Sequence, residues 1–431
     1  MLSREDNEYL TRTGSGTPMG ELLRRYWVPA LVSGELPKPD CPPVRITLLG
    51  EKLVAFRNTN GEIGLVDEHC PHRRASMFFG RNEECGLRCV YHGWKFDING
   101  QCVDMPSEPA ESNFKDAVSI KSYPCKEHGG VIWTYMGPPE HMPELPELEW
   151  ALLPDSHRYI SRRIQDNNYF QAIEGGVDSS HISFLHRHVA NSNGQKDLQV
   201  IEADTAPKFE VAKTDYGMLI GAKRSAPENN IYWRITQFIM PWYTMIPPVG
   251  NFPRGGHAWV PSDDQVCWQW SISWNAERPL NEEELDRMKK GDALHAELIP
   301  GTLRPIQSKD NDYLIDREWQ SSGKSYTGIK GIGMQDAAVQ ESSGAIADRS
   351  IERLGTSDTA IIVTRRLLIK SAKDLEEGIS PPGLNPKQQR VRAVSVVLRE
   401  DVPFQEGAKE LLKLKESDYI GLAEREKSSN N

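Results

Sequence analysis

Hydrophobic and polar positions change their rhythm along the chain. Near the start, Thr17 is suited to cap a helix and Pro18 to open it. The apolar-rich run ELLRRYWVPALV extends that helix until Pro29 ends or kinks it, so residues 1–42 read as an N-terminal helical segment. From 43 to 138 the runs are short and strand-like: VRITLLG, EKLVAFRN and IGLVDE, then LRCVY, WKFD and GGVIWTYMG. Turn residues at 58–61 and at Asn99 and Gly100 join them as hairpins, and a small all-β domain is the expectation. Pro138 to Pro154 contains five prolines, and 139–155 reads as a linker. From 156 to 431 the pattern is mixed. A helical stretch spans roughly 165–186, and strands follow in FEVAKTDYGMLIGAKR, IYWRITQFIMPWYTMIP, HAWVPS and VCWQWSISWN. NEEELDRMKKGDALH and much of 334–373 are helical in pattern, and polar, lysine-rich residues close the chain. This second part predicts an α+β domain, an antiparallel sheet with helices to one side.

Composition narrows the function. The formal net charge of −10, from 51 basic and 61 acidic residues, weighs against nucleic acid or an anionic membrane as partner. No apolar run approaches the roughly 18 residues of a membrane span, and the charged start MLSREDNEYLTRTG is not a secretory leader. Seven cysteines, an odd and low count, suit free or metal-bound thiols in a reducing compartment, so the cytoplasm is expected.

Chemistry concentrates in two short motifs, Cys70-Pro71-His72 and Cys89-Val90-Tyr91-His92. Each supplies one thiolate and one imidazole. A Rieske-type [2Fe–2S] cluster needs two of each, with both imidazoles on one iron. A single zinc ion is the alternative, but zinc pairs run C-x2–4-C and H-x3–5-H rather than as two mixed pairs. Cys85, Cys102 and Cys125 fit neither pair and read as packed thiols. Arg73, Arg74, Arg81, Arg88 and Lys95 make the region basic. An acidic redox partner would fit such a face, and plain solvated charge is the other reading.

A second constellation runs Glu174-Gly-Gly-Val-Asp178-Ser-Ser-His181-Ile-Ser-Phe-Leu-His186. Two histidines with one carboxylate suit a mononuclear Fe(II) with open positions. On a regular α-helix His181 and His186 stand about 140° apart. They converge if the helix widens into a π-turn or breaks after His181. Asp178 and His181, three apart, share a helix face. An ordinary helix with surface histidines is the alternative.

The run CPHRRASMFFG…CVYHGWKFD resembles the Rieske domains of aromatic-ring oxygenases. TRTGSGTPMGELLRRYWVPAL, EGGVDSSHISFLH and ERLGTSD extend the resemblance over almost the whole chain, to oxygenase components of the phthalate 4,5-dioxygenase type. Respiratory Rieske proteins carry an extra cysteine in each ligand loop, and here both are missing. The resemblance implies an N-terminal all-β Rieske [2Fe–2S] domain followed by a larger, helix-grip-like α+β catalytic domain. It implies Cys70, His72, Cys89 and His92 as cluster ligands, with Trp94 covering the cluster. It implies His181 and His186 as ligands of a mononuclear Fe(II). Asp178 becomes a bridge that accepts a hydrogen bond from a ligand histidine and receives electrons from the side of a neighbouring subunit's His92. A downstream carboxylate completes the iron site. Asp336, in QDAAVQES, is expected there, with Glu341, Asp348 and Asp358 as alternatives.

The resemblance also implies a homo-oligomer, trimer or hexamer, without a small β subunit. A reductase with FMN and a plant-type [2Fe–2S] centre, drawing on NADH, would serve it. The implied activity is dihydroxylation of a small aromatic acid by dioxygen to a cis-dihydrodiol. An aromatic carboxylate needs a cation in an apolar pocket, ideally the planar fork of arginine. Arg234, in YWRITQF, alternates onto one face with Tyr232, Thr236 and Phe238 and is the expected anchor. Lys208 and Arg224 are further candidates, and an outward-facing or ion-paired Arg234 is the other reading. Two rival functions remain: a monooxygenase or O-demethylase of an aromatic acid, and an electron carrier with no chemistry of its own. The long second domain and the second histidine pair oppose the carrier.

Overall fold

The computed structural model describes residues 2–109, 111–187, 196–250 and 252–419. Two short helices open the chain, α1 (Arg4–Thr11) and α2 (Pro18–Leu23). As the sequence suggests, Thr17 Oγ1 caps α2 by accepting from the Gly20 N–H at 3.1 Å, with Pro18 in the first turn. The helix ends earlier than expected. WVPALV is a strand, β1 (Trp27–Val32), not the continuation of α2. Pro29 cannot donate inside a helix, and Val28 and Val32 favour an extended backbone. The register with the later strand β11 slips between Pro29 and Leu31, which accommodates the missing N–H.

The β-rich region then proceeds through β2 (Val44–Leu48), β3 (Glu51–Arg57), β4 (Ile63–Asp67), β5 (Arg81–Glu83), β6 (Gly86–Arg88), β7 (Lys95–Phe96), β8 (Cys102–Asp104), β9 (Ser122–Tyr123), β10 (Cys125–His128) and β11 (Val131–Tyr135). They form three antiparallel sheets, β2-β3-β4-β9, β5-β6-β7-β8 and β1-β11-β10. The turn between β3 and β4 is held by Asn58, whose Oδ1 accepts from the N–H groups of Asn60 and Glu62. Because β1 pairs with β11, residues 27–32 belong to this β structure, whereas α1 packs on the second part of the chain, where the Tyr169 hydroxyl donates to the Leu10 carbonyl and Asn168 Nδ2 to the Thr11 carbonyl, both at 3.0 Å.

The proline-rich stretch is clamped. Its short helix α3 (Glu149–Leu152) carries the buried Glu149, which Arg392 meets at 2.7 Å, and Arg390 pairs with Glu147. Beyond it, β12 (Arg158–Gln165) leads to α4 (Tyr169–Val177) and α5 (Lys196–Ala203). Six strands follow: β13 (Lys208–Thr214), β14 (Gly217–Ala226), β15 (Asn230–Ile239), β16 (Tyr243–Ile246), β17 (Arg254–Pro261) and β18 (Cys267–Trp274). Helices α6 (Glu282–Lys289), α7 (Arg317–Ser321), α8 (Ile332–Ser342) and α9 (Thr359–Glu376) precede a last strand, β19 (Val394–Arg399). The strand order is β12-β18-β17-β16-β15-β14-β13, with β19 added to β15. Every pairing is antiparallel.

Two strands of this eight-stranded sheet escaped the sequence pattern. RYISRRIQ is too polar to read as a central element, yet Arg162 and Arg163 are buried in it. Arg162 is neutralised by Glu35 through two 2.6 Å contacts and lies 4.3 Å from the Trp268 ring. That pair joins the eight-stranded sheet to the β-rich region, as do the Leu49 N–H to the Pro261 carbonyl at 2.9 Å and Trp268 Nε1 to the Thr47 carbonyl at 2.8 Å. The other missed strand, β19, lines up Ser395 opposite Arg234.

Candidate functional sites

The two loops on either side of the β5–β6 hairpin repeat one backbone design. Cys70 N–H donates to the Ala75 carbonyl and Arg74 N–H returns to the Cys70 carbonyl, both at 2.9 Å. In the second loop Cys89 N–H donates to the Trp94 carbonyl at 2.8 Å and Gly93 N–H to the Cys89 carbonyl at 3.0 Å. Each loop therefore needs a left-handed residue four after its cysteine: Arg74 at φ 60° and Gly93 at φ 79°. A Cβ on Gly93 would also meet Pro106 at 2.7 Å.

The thiols of Cys70 and Cys89 are buried and in contact. A hydrogen bond from Cys70 pulls the Cys89 thiol down to about 6 and pushes that of Cys70 up. His72 and His92 sit at the outer rim with ring centroids 4.5 Å apart. Trp94 stacks on His72 at 4.3 Å and donates to Ser107 Oγ. Among the described residues, no three of these four ligand atoms lie within 4.8 Å of one another. One ion therefore cannot gather them, which removes the zinc reading. A two-iron cluster, with thiolates inside and imidazoles outside, fits. Cys102 is a packed thiol facing the Asp104 carbonyl. The basic face is smaller than the sequence suggests: Arg81 and Arg88 pair with Glu83, and Lys95 with Glu84. Arg73 and Arg74 stay exposed, beside the exposed Val90 and Tyr91.

The second site is built where α4 stops. The helix ends at Val177, and Asp178 is extended, at φ −85° and ψ 127°. Its Oδ1 accepts from the Ser180 N–H at 2.6 Å and its Oδ2 from the His181 N–H at 3.3 Å, so the carboxylate shapes the turn. A 3-10 turn spans His181–Ser183, and the backbone departs again at Phe184. The break that lets the histidines converge thus precedes His181, and Asp178 meets it through this turn rather than along a helix face. The two Nε2 atoms stand 3.1 Å apart. Asp336, on α8, places its carboxylate 3.2 Å from His186 Nε2 and 3.7 Å from His181 Nε2.

Among the described residues this is the one group of three such side chains whose ligand atoms lie within 4.8 Å. His181 turns Nδ1 to Asp178 at 3.3 Å, and His186 turns Nδ1 to Gln335 Oε1 at 2.8 Å. Both Nε2 atoms are left as lone pairs facing a carboxylate. Three acceptors at about 3 Å repel one another unless a cation lies among them, and that spacing suits an ion bonded at about 2.1 Å.

The alternative carboxylates are engaged elsewhere. Glu341 accepts from the Tyr313 hydroxyl, Asp348 from Ser350, and Asp358 from the Gly355 N–H. Arg234 is buried on β15, and among the described residues its Nε and Nη1 have no hydrogen-bond partner. Its charge reaches His181, where it pushes the imidazole pKa down against the carboxylates that raise it. Arg224 is buried on the same face and donates to the carbonyls of Asp204 and Ser179. Burial and the like charge of Arg234 lower it to about 10. Lys208 is a correction. It is exposed at the start of the edge strand β13, where no buried site reaches it. Sequence reasoning missed Gln335, whose only signal is its place beside Asp336, and His257, which burial in β17 holds neutral with its pKa at about 4.

Comparison with known proteins shows the family. The Rieske [2Fe-2S] domain family matches residues 26–124, and the family described as LigXa C-terminal domain like matches 134–406. The chain is 39% identical over 406 residues to the 3-chlorobenzoate-3,4-dioxygenase oxygenase subunit of Comamonas testosteroni, covering 90% of this chain and 93% of that one. It belongs to the Rieske non-haem iron oxygenases. The phthalate 4,5-dioxygenase oxygenase subunit of Pseudomonas putida is 37% identical and covers 94% of both chains. The 5,5'-dehydrodivanillate O-demethylase oxygenase subunit of Sphingobium sp. is 34% identical, over 89% of this oxygenase and 84% of that one. In fold, the oxygenase is similar to dicamba monooxygenase bound to dicamba, with a TM-score of 0.57 at 20% identity over 83% and 99% of the two chains. Its cofactors are accordingly a Rieske [2Fe–2S] cluster and a mononuclear iron. Among its described residues no helix is long and apolar enough to cross a membrane.

Proposed function

We propose that this oxygenase dihydroxylates an aromatic carboxylate, in the class of phthalates and halobenzoates, to a cis-dihydrodiol. The observation that carries the reading is Arg234. A guanidinium that is nine-tenths buried, with two free nitrogens and a second arginine beside it, is costly until an anion arrives. A carboxylate takes it as a planar, charge-assisted fork, which sets the ring next to His181. The names of the 3-chlorobenzoate and phthalate relatives support the same class.

Cys70, His72, Cys89 and His92 would hold the cluster, and His181, His186 and Asp336 the iron. Together these groups supply electron delivery and dioxygen activation when bound. The chain does the rest. Arg234 orients the substrate, the apolar sheet face excludes water, and Asp178 and Gln335 keep both Nδ1 protons off the inward-facing nitrogens. The Asp178 side chain is 20% exposed, so one edge faces outward, where His92 of a neighbouring copy would dock in a trimer or a hexamer. A cytoplasmic flavin and iron–sulfur reductase, fed by NADH, would supply electrons.

Labelled dioxygen with a panel of aromatic acids and a matched reductase tests the reading. Two labelled oxygens in a dihydrodiol are expected. The O-demethylase relative favours the second reading, monooxygenation. One labelled oxygen with loss of a methyl group would establish it and exclude dihydroxylation.

A further inference from the structure

Helix α8 carries more of the iron site than the carboxylate of Asp336. Gln335, the residue before it, is 1% exposed and reaches two partners. Its Nε2 donates to the Ile329 carbonyl at 2.9 Å, and its Oε1 lies 2.8 Å from His186 Nδ1. A carbonyl oxygen can only accept, so Ile329 fixes which end of the amide faces the histidine. The end presented to His186 is the oxygen, and His186 Nδ1 must carry the proton. His186 Nε2 then keeps its lone pair, aimed at His181 and Asp336.

The helix has little freedom to give way. A Cβ on Gly333 would lie 2.6 Å from the Leu294 carbonyl, so the first turn of α8 sits directly on that backbone. Arg163 Nη2 holds the Gly333 carbonyl at 3.1 Å, and Gln165 Nε2 holds Gln340 Oε1 at 2.7 Å. The Tyr313 hydroxyl pins Glu341 at the far end. The amide of Gln335 is thus set by packing before any metal arrives.

We infer that Gln335 is a positioning residue for the mononuclear metal, selecting the Nδ1–H form of His186 and its ring orientation. The inference rests on the reading of His186 as a ligand. One turn of α8 then supplies both a ligand, Asp336, and the group that prepares another. Partners of this kind change metal affinity by 10–100-fold when removed.

The test uses the full chain with its cluster intact and its mononuclear iron removed, titrated with Co(II) against a chelating dye. Gln335→Met keeps the length and removes both hydrogen-bonding groups, and a 10–100-fold weaker Kd is expected. Gln335→Glu keeps the acceptor and should bind Co(II) no more weakly than the parent. A parent-like Kd for Gln335→Met, or equal weakening in both variants, overturns the inference. His186→Ala separates the two readings: if it too binds like the parent, the ligand reading is what has failed. The cluster's visible spectrum and far-UV circular dichroism report folding. Should Gln335→Met not fold, histidine-labelled nitrogen NMR of the parent with its cluster intact and its mononuclear metal removed decides. An Nδ1-protonated His186 is expected, and an Nε2-protonated ring refutes the role.

Discussion

Replacing Arg234 by methionine separates stability from affinity in a way few substitutions do. In the free protein the guanidinium is buried, two of its nitrogens have no partner, and Arg224 adds a like charge nearby. Swapping a poorly paired buried charge for an apolar side chain of similar volume is neutral or stabilising by about 1–4 kcal/mol. Losing one partner of a buried carboxylate pair costs about 2–5 kcal/mol of binding. At about 1.4 kcal/mol per decade, even the lower limit weakens an aromatic carboxylate roughly 30-fold. Arg234→Met should therefore unfold at the same or higher urea concentration than the parent while its Kd rises at least 30-fold. Arg234→Lys should fall between, because an ammonium keeps the charge but loses the fork. Urea unfolding followed by circular dichroism and calorimetric titration with benzoate or phthalate measure the two quantities. Unchanged carboxylate affinity would refute the anchor. A fall in stability of several kcal/mol would show that the arginine has partners of its own in the free protein.

Other outcomes follow from the same structure. Metal analysis should find about three irons per chain, and His181→Ala should lower that to about two; an unchanged count removes His181 from the site. Asp178→Asn should leave both metal sites loaded yet arrest coupled turnover. Full product formation in one turnover of the pre-reduced variant would require another route for the electrons. Arg349 has no exposed side-chain surface and makes a two-pronged pair with Glu174 at 2.9 and 2.8 Å, so Arg349→Ala should cost about 3–5 kcal/mol in urea unfolding. Parent-like stability would mean the pair contributes nothing. His295 lies between the Ser161 and Ser273 hydroxyls, and burial depresses its pKa to about 3. The unfolded chain takes up a proton near pH 6.5 that the native site refuses. The stability this residue contributes is complete above that pH and declines by about 1.4 kcal/mol per unit as pH falls toward 3. His295→Gln should flatten unfolding midpoints between pH 7 and 5, and an unaltered slope would contradict the assignment.

How far the sequence reached can be followed residue by residue. The two Cys/His loops were legible because the backbone bonds of each are made within the loop itself, so residue type and spacing carry nearly all the information. The same holds for Asp178, His181 and His186, although the way they converge was not legible. A 3.6-residue period says nothing of where a helix stops, and here α4 stops before His181 because the Asp178 carboxylate captures the next backbone N–H groups. WVPALV looked like more helix because its local pattern is apolar, and only pairing with β11, far along the chain, makes it a strand. RYISRRIQ carries charged arginines that no local pattern assigns to a core, and only Glu35 and Trp268 explain their burial.

By itself, then, the sequence determined the two metal motifs, the division into an all-β part and an α+β part, and the family resemblance that joins them. Tertiary structure decided which distant groups meet. It chose Asp336 over Glu341, Asp348 and Asp358 by where α8 packs, kept Arg234 buried while leaving Lys208 in solvent, and brought Gln335 to His186. The reason is one of range. Loops and turns are written in consecutive residues, whereas burial and the third ligand depend on contacts between segments well over a hundred positions apart.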